Sequence, residues 1–221
     1  MKHGRLALVV LVAVLVPLTA SPALAVLKAN WQMNETSGPM SDSSGSGNNG
    51  TLTDVARTGA LYVFNGSTSR VAVPDSDSLD PASKNIRLNA RVKVAGASMD
   101  DDSYDIVRKG LSTTSGGNYK MEIKRSSDST VGRLNCVFKG NSATVNVLAK
   151  PDLVDGNWHT IACAKTATSV IATVDGKNYA RTKSAGSISN SSGVLVGAKT
   201  ASPLDDVFEG SMDYAGIDVA Q

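Results

Sequence analysis

The sequence predicts an all-β protein, an antiparallel β-sandwich of the jelly-roll kind with one disulfide. Three observations carry this. Short runs alternate between apolar and polar residues, which places one side of each run in a core and the other in water. The runs are separated by Gly, Asn, Asp and Ser turns. No segment of useful length shows the helical period. The clearest stretch is 132–177. It reads GRLNCVFKG, a polar spacer, then DGNWHTIACAKTATSVIATVDGK. Cys136 and Cys163 sit at matched places in the first two runs, so a cross-strand disulfide is expected. In an oxidising compartment an isolated pair is a bridge more often than two free thiols.

The elements follow in order. A first strand is expected at 28–33. The Gly/Ser/Asn-rich segment 38–50 has the composition of a linker, but too few residues precede it to make a domain, so it reads as a surface loop. Strands at 61–64 and 70–74 read as a hairpin around Asn65-Gly66. Segment 85–94 is the cleanest strand: Ile86, Leu88, Ala90, Val92 and Val94 face one way, and Arg87, Asn89, Arg91 and Lys93 the other. Further strands are expected near 104–109, 118–124, 133–139, 144–148, 158–165, 169–174, 178–181, 194–196 and 210–219. Strands spaced in this way specify a sandwich or jelly roll.

Residues 1–25 read as a secretory signal peptide. Met1 to Arg5 is a short basic region, Leu6 to Val16 is an apolar run too short to span a bilayer, and Ala23-Leu24-Ala25 has the small-x-small cleavage pattern. The mature domain is expected at 26–221, secreted, without a membrane span after cleavage. Losing Lys2 and Arg5 from 22 basic residues leaves 20, against 20 acidic. That balance, with no Lys/Arg run longer than two, argues against nucleic acid as a partner.

Several pieces resemble the laminin-G-like branch of the concanavalin A-like lectin/glucanase superfamily, in that family's order. They are Trp31 to Gly38, Asp42 to Gly45, Phe64-Asn65-Gly66, Val71 to Pro74, the hairpin hallmark Asp155 to His159 with Val174 to Lys177, then Val196 to Ala198 and Phe208 to Asp213. The resemblance implies the jelly roll. It does not imply one function, because the fold hosts lectins, adhesion modules and glycosidases. It also implies calcium at the rim, between the start of the first strand and the last strand. Asn34, Glu35 and Asp213 match those positions, and a calcium site wants such oxygen ligands.

Catalysis is not expected. The glucanases of this superfamily carry a Glu-x-Asp-x-Glu run on one strand, and the only glutamates here are Glu35, Glu122 and Glu209, none with Asp two positions on. Lyase chemistry would ask for more than His159, which lies in the hairpin hallmark and reads as a packing residue. No nucleophile elbow, phosphate loop or His/Cys metal cluster is present. The acidic group Asp100, Asp101, Asp102 and Asp105 lacks the Gly and Glu of an EF-hand and reads as a solvated loop. Trp31 and Trp158 sit where the family buries them. Tyr104 and Tyr119 flank the Gly/Ser/Thr-rich segment 109–117, which resembles a rim loop. They are the expected ligand-binding residues, since a sugar face stacks on an aromatic ring. The expected function is a secreted, non-catalytic lectin-like module for an extracellular glycan, with a protein-binding adhesion or interaction domain as the first alternative and a glycan-cleaving jelly-roll enzyme as the last.

Overall fold

The computed structural model describes residues 25–96 and 99–221. The expected leader at 1–25 lies outside the described residues except for its last position. In chain order the strands are β1 (Ala25–Trp31), β2 (Thr51–Thr53), β3 (Ala56–Arg57), β4 (Tyr62–Asn65), β5 (Arg70–Val73), β6 (Ile86–Val94), β7 (Ser103–Lys109), β8 (Asn118–Arg125) and β9 (Gly132–Lys139). They continue with β10 (Thr144–Leu148), β11 (His159–Lys165), β12 (Ser169–Val174), β13 (Lys177–Thr182), β14 (Val194–Val196), β15 (Thr200–Ala201), β16 (Leu204–Asp205) and β17 (Glu209–Ala220). One short 3₁₀ turn, Asp77–Leu79, precedes β6. Among the described residues no helix is long and apolar enough to cross a membrane.

Two antiparallel sheets face each other. The first runs β13-β12-β11-β6-β17-β4-β3, with β1 beside the C-terminal half of β17. The second runs β10-β9-β8-β7-β14-β5-β2, and β15 and β16 form a separate small hairpin. The alternation read in 86–94 is real: its five apolar residues are all buried, among them Leu88 and Val92, and Arg87 and Lys93 are exposed. From the other sheet Met121, Ile123, Leu134 and Phe138 fill the same core.

Two expectations about connection are corrected. The strands around Asn65-Gly66 are not a hairpin, because β4 pairs with β17 in the first sheet and β5 with β14 in the second. The Asn65 side chain accepts from the backbone N–H groups of Ser67, Thr68 and Ser69, and the Gly66 N–H donates to the Phe208 carbonyl, so the turn carries the chain across the sandwich. The disulfide forms, but not across one sheet. Cys136 lies on β9 and Cys163 on β11, with Cα atoms 5.3 Å apart, so the bridge joins the two sheets through the core. Both half-cystines are fully buried.

Candidate functional site

Tyr104 and Tyr119 cannot stack on a ligand. Both point into the sandwich, with relative exposures of 1% and 0%. Tyr119 packs against Phe138, and its hydroxyl donates to the Leu79 carbonyl at 3.0 Å. Tyr104 meets Phe208 edge-on and accepts from the Asp100 N–H at 3.2 Å. The physical reason is parity. Tyr119 shares its face of β8 with Met121 and Ile123, so the pleat turns all three inward.

The same parity sends a polar row to the outer face of the second sheet, and this is where the groove lies. Asp105 on β7, Glu122 on β8 and Asn135 on β9 are neighbours in register. Beside them runs a second row, Arg108, Lys120 and Val137. Asp105 and Arg108 are three residues apart and in a regular strand would face opposite sides. A register shift between Asp105 and Val107 inserts one residue, so Ile106 and Val107 both turn inward and both charged groups turn outward.

These groups form a ladder of ion pairs. Arg108 Nε donates to Asp105 Oδ2, Lys120 pairs with Glu122 Oε2, and Asn135 Nδ2 donates to Glu122 Oε1 at 2.6 Å. The turn before β15 brings in Lys199, which holds Asp205 at 2.6 Å and Asp206 at 3.3 Å. The Asp105 N–H donates to the Asp206 carbonyl at 2.9 Å, fixing this arm on the edge of the floor. Burial raises the Asp105 carboxyl to about 7, although Arg108 and Lys120 pull the other way. Burial likewise raises Asp206, while the hydrogen bond that Lys199 donates to Asp205 raises Lys199. Asp105 Oδ1 and Asn135 Oδ1 are buried without a hydrogen-bond partner. An unpaired buried acceptor costs about 1–3 kcal/mol, so the floor holds these two oxygens at the expense of stability.

Three recesses follow one another over this floor. One of about 470 Å³ is lined by Arg108, Leu111, Leu195 and Lys199, among others. The next, about 410 Å³, lies among Ser112, Thr113, Asn118, Lys120, Val137 and Lys139, and also touches Arg108, Leu111 and Lys199. The third, about 620 Å³, is bounded by Asp101, Asp102, Glu122, Lys124, Asp205 and Asp206 and shares Lys120 and Lys199 with the second. The predicted rim loop therefore does line the groove, through Leu111, Ser112 and Thr113, although its flanking tyrosines do not. The loop is held close. A Cβ on Gly116 would lie 1.8 Å from the Ser189 carbonyl oxygen, and both Gly116 and Gly117 have positive φ.

The other predicted residues have structural partners. Glu35 accepts from the Ser41 N–H and the Tyr62 hydroxyl, both at 2.7 Å, one on each oxygen. Asp213 pairs with Arg91 at 2.7 Å, and the Arg91 guanidinium lies 4.7 Å above the half-buried Trp158 ring. Asn34 is exposed. Glu35 and Asp213 are thus each engaged by a protein partner, Tyr62 in one case and Arg91 in the other. Among the described residues, the carboxylates that approach closely are Asp105, Glu122 and Asp206, and Asp101, Asp205 and Asp206, with one oxygen of each within 4.8 Å of the others. Asp105 thus belongs to the groove floor and not to the acidic loop, whose Asp102 pairs with Arg125. His159 is buried between Asp175 (2.7 Å) and Asp155 (2.9 Å), tying two turns together.

The sandwich with its polar groove defines a lectin-like jelly roll. A family model for the concanavalin A-like lectin/glucanases superfamily, of laminin G type, matches residues 65–217, and the chain belongs to this family. No curated protein matches it. Among solved structures it is similar to the binding domain of Paraclostridial Mosquitocidal Protein 1, with 14% identity and a TM-score of 0.64 over 89% of this chain and 49% of that one. It is similar to domain 4 of AbnA, a GH43 extracellular arabinanase from Geobacillus stearothermophilus, in complex with arabinotriose. Identity there is 17% and the TM-score 0.62, over 89% of this chain and 93% of that one. A botulinum neurotoxin type C structure, described by an interaction with two ganglioside molecules, matches with 12% identity and a TM-score of 0.61, over 87% of this chain and 47% of that one. The chain spans about half the length of the toxin structures it matches. At these identities the likeness shows the fold.

Proposed function

We propose that this chain is a secreted, non-catalytic module that binds an extracellular glycan in the groove on the outer face of its second sheet. The observation that carries the reading is the run of three adjoining recesses over one charged and amide-bearing floor, with Arg108, Lys120 and Lys199 shared between them. A sugar offers several hydroxyls, each both donor and acceptor. A floor of fixed ion pairs and amides can order them without reorganising. Secretion is supported by the leader pattern of 1–25 and by a disulfide that belongs to an oxidising compartment. The arabinotriose and ganglioside descriptions of similar folds are consistent with this reading. The adhesion alternative has less support: among the described residues the large exposed apolar ones are Leu27 and Leu148, on strands of different sheets.

The Asp105–Glu122 pair favours a second reading, a glycosidase. The pair escapes a search along one strand because its members come from neighbouring strands. It is built for holding rather than for turnover. Each carboxylate has an oxygen tied to a cation, and the free Asp105 oxygen is closed off from the groove. A general acid needs contact with the bond it protonates.

The test is a glycan array with the wild type and with Val137→Trp, which fills the middle of the groove from an outward-facing position. The proposal expects one or more glycans bound by the wild type and released by the variant, with unchanged circular dichroism. Binding that survives the filled groove would move the site elsewhere. Hydrolysis of a bound glycan that Asp105→Asn abolishes would establish the second reading.

A further inference from the structure

Charge is not spread evenly along the groove. The central recess is lined by four basic side chains, Arg108, Lys120, Lys139 and Lys199, and by no carboxylate. The acidic groups lie in the adjoining recess, which Asp101, Asp102, Glu122, Asp205 and Asp206 line. The arrangement of the four cations follows from the sheet. Arg108 and Lys120 are register partners on β7 and β8. Lys139 lies on β9 opposite Asn118, and Lys199 leans in from the arm. Three of them are anchored from one side: Arg108 by Asp105, Lys120 by Glu122, and Lys199 by Asp205 and Asp206. Anchoring removes the rotamer entropy that a free lysine would lose on binding a ligand. Lys139 is different. Its ammonium donates to the Ser112 carbonyl, and among the described residues it is in no ion pair with a carboxylate.

The chemistry of such a recess is donor-rich. Ammonium and guanidinium groups donate and never accept, so a neutral hydroxyl can use them only through its lone pairs. A carboxylate or sulfate accepts from several at once, and hydrogen bonds between charged partners are roughly twice as strong as neutral ones. Ser112, Thr113 and Thr144 at the margins, with Asn118 on the floor, suit the hydroxyls of the same sugar ring.

We propose that the central recess is a subsite for an acidic sugar residue, a uronate or a sulfated unit, whose anionic group lies against Lys139 and the Arg108–Lys120 row. This rests on the reading of the groove as a glycan site and adds the charge class of the ligand. The adjoining carboxylates confine the acid to this one recess by repelling it from the next.

The experiment titrates the intact protein calorimetrically with acidic polysaccharide fragments, among them oligogalacturonate, hyaluronan and heparin fragments. Each is paired with its carboxyl-reduced or desulfated form, and neutral arabino- and chito-oligosaccharides are included. The proposal expects an acidic fragment to bind, its neutralised form to bind at least about tenfold more weakly, and Lys139→Gln to remove most of that difference. Added salt should erode the preference, because the recess is open to solvent. Affinity unchanged by neutralisation, a preference untouched by Lys139→Gln, or binding of neutral glycans alone would overturn the acidic subsite. Neutral binding that Val137→Trp still abolishes would leave the groove reading standing. Failure of every glycan to bind would remove that reading and the subsite with it.

Discussion

Replacing Tyr119 separates a binding role from a packing role. The side chain is fully buried, its ring lies 6.5 Å from the Phe138 ring, and its hydroxyl donates to the Leu79 carbonyl at 3.0 Å. Tyr119→Ala removes the ring and leaves a cavity, which for a buried aromatic costs about 3–5 kcal/mol. Tyr119→Phe keeps the packing and removes only the hydrogen bond, for about 1–3 kcal/mol, since the carbonyl is then left unpaired. A domain of this size is stable by about 5–15 kcal/mol, so the alanine variant should remain folded at low temperature with a clearly lower urea midpoint. The phenylalanine variant should fall between it and the wild type. Tyr104→Ala should behave like Tyr119→Ala, because its ring is buried against Phe208. Urea titration followed by circular dichroism, beside glycan affinity, is the assay. An alanine variant with the wild-type midpoint and lost affinity would refute the assignment of these rings to the core.

Three further outcomes follow from other parts of the molecule. The Cys136–Cys163 bridge closes a loop with a sequence separation of 27, so reduction or Cys136→Ala with Cys163→Ala should cost about 3.5 kcal/mol by chain entropy; an unchanged melting temperature in reductant would contradict this. Burial holds the Asp105 carboxyl at about 7, above its ordinary 3.8. Its contribution to stability is therefore complete below pH 3.8 and is lost as pH rises through about 7. Asp105→Asn should flatten the stability profile across that window, and parallel profiles for variant and wild type would count against a protonated Asp105. Because Glu35 and Asp213 already have their own partners, chelator should leave the melting temperature unchanged. A calcium-dependent rise that Glu35→Gln or Asp213→Asn removes would restore an ion there.

Much of the sandwich was legible from period two alone. Segment 86–94 shows it without interruption, because it is packed on one side and more open on the other. What alternation does not encode is which sheet a strand joins. Asn65-Gly66 reads as a tight hairpin, yet its strands separate into different sheets, and the cysteine pair that reads as cross-strand joins the two sheets instead. The site was hidden for a related reason. Asp105, Glu122 and Asn135 are far apart in sequence and meet only through register, and the bulge at Ile106 breaks the parity that would show Asp105 and Arg108 on one face. One signal was available. Tyr119 alternates in phase with Met121 and Ile123, which marks it as inward, while Lys120 and Glu122 alternate in phase on the other face.

The central claim is that the outer face of the second sheet is the ligand face. The most direct measurement is an amide chemical-shift titration of the isotopically labelled protein with a glycan it binds. The account predicts that the amides of Leu111, Asn118, Lys120, Val137, Thr144 and Lys199, which line one recess, shift together and saturate with one affinity. Shifts gathered instead around Arg91, Trp158 and Asp213 on the opposite sheet, with the groove amides unmoved, would contradict it.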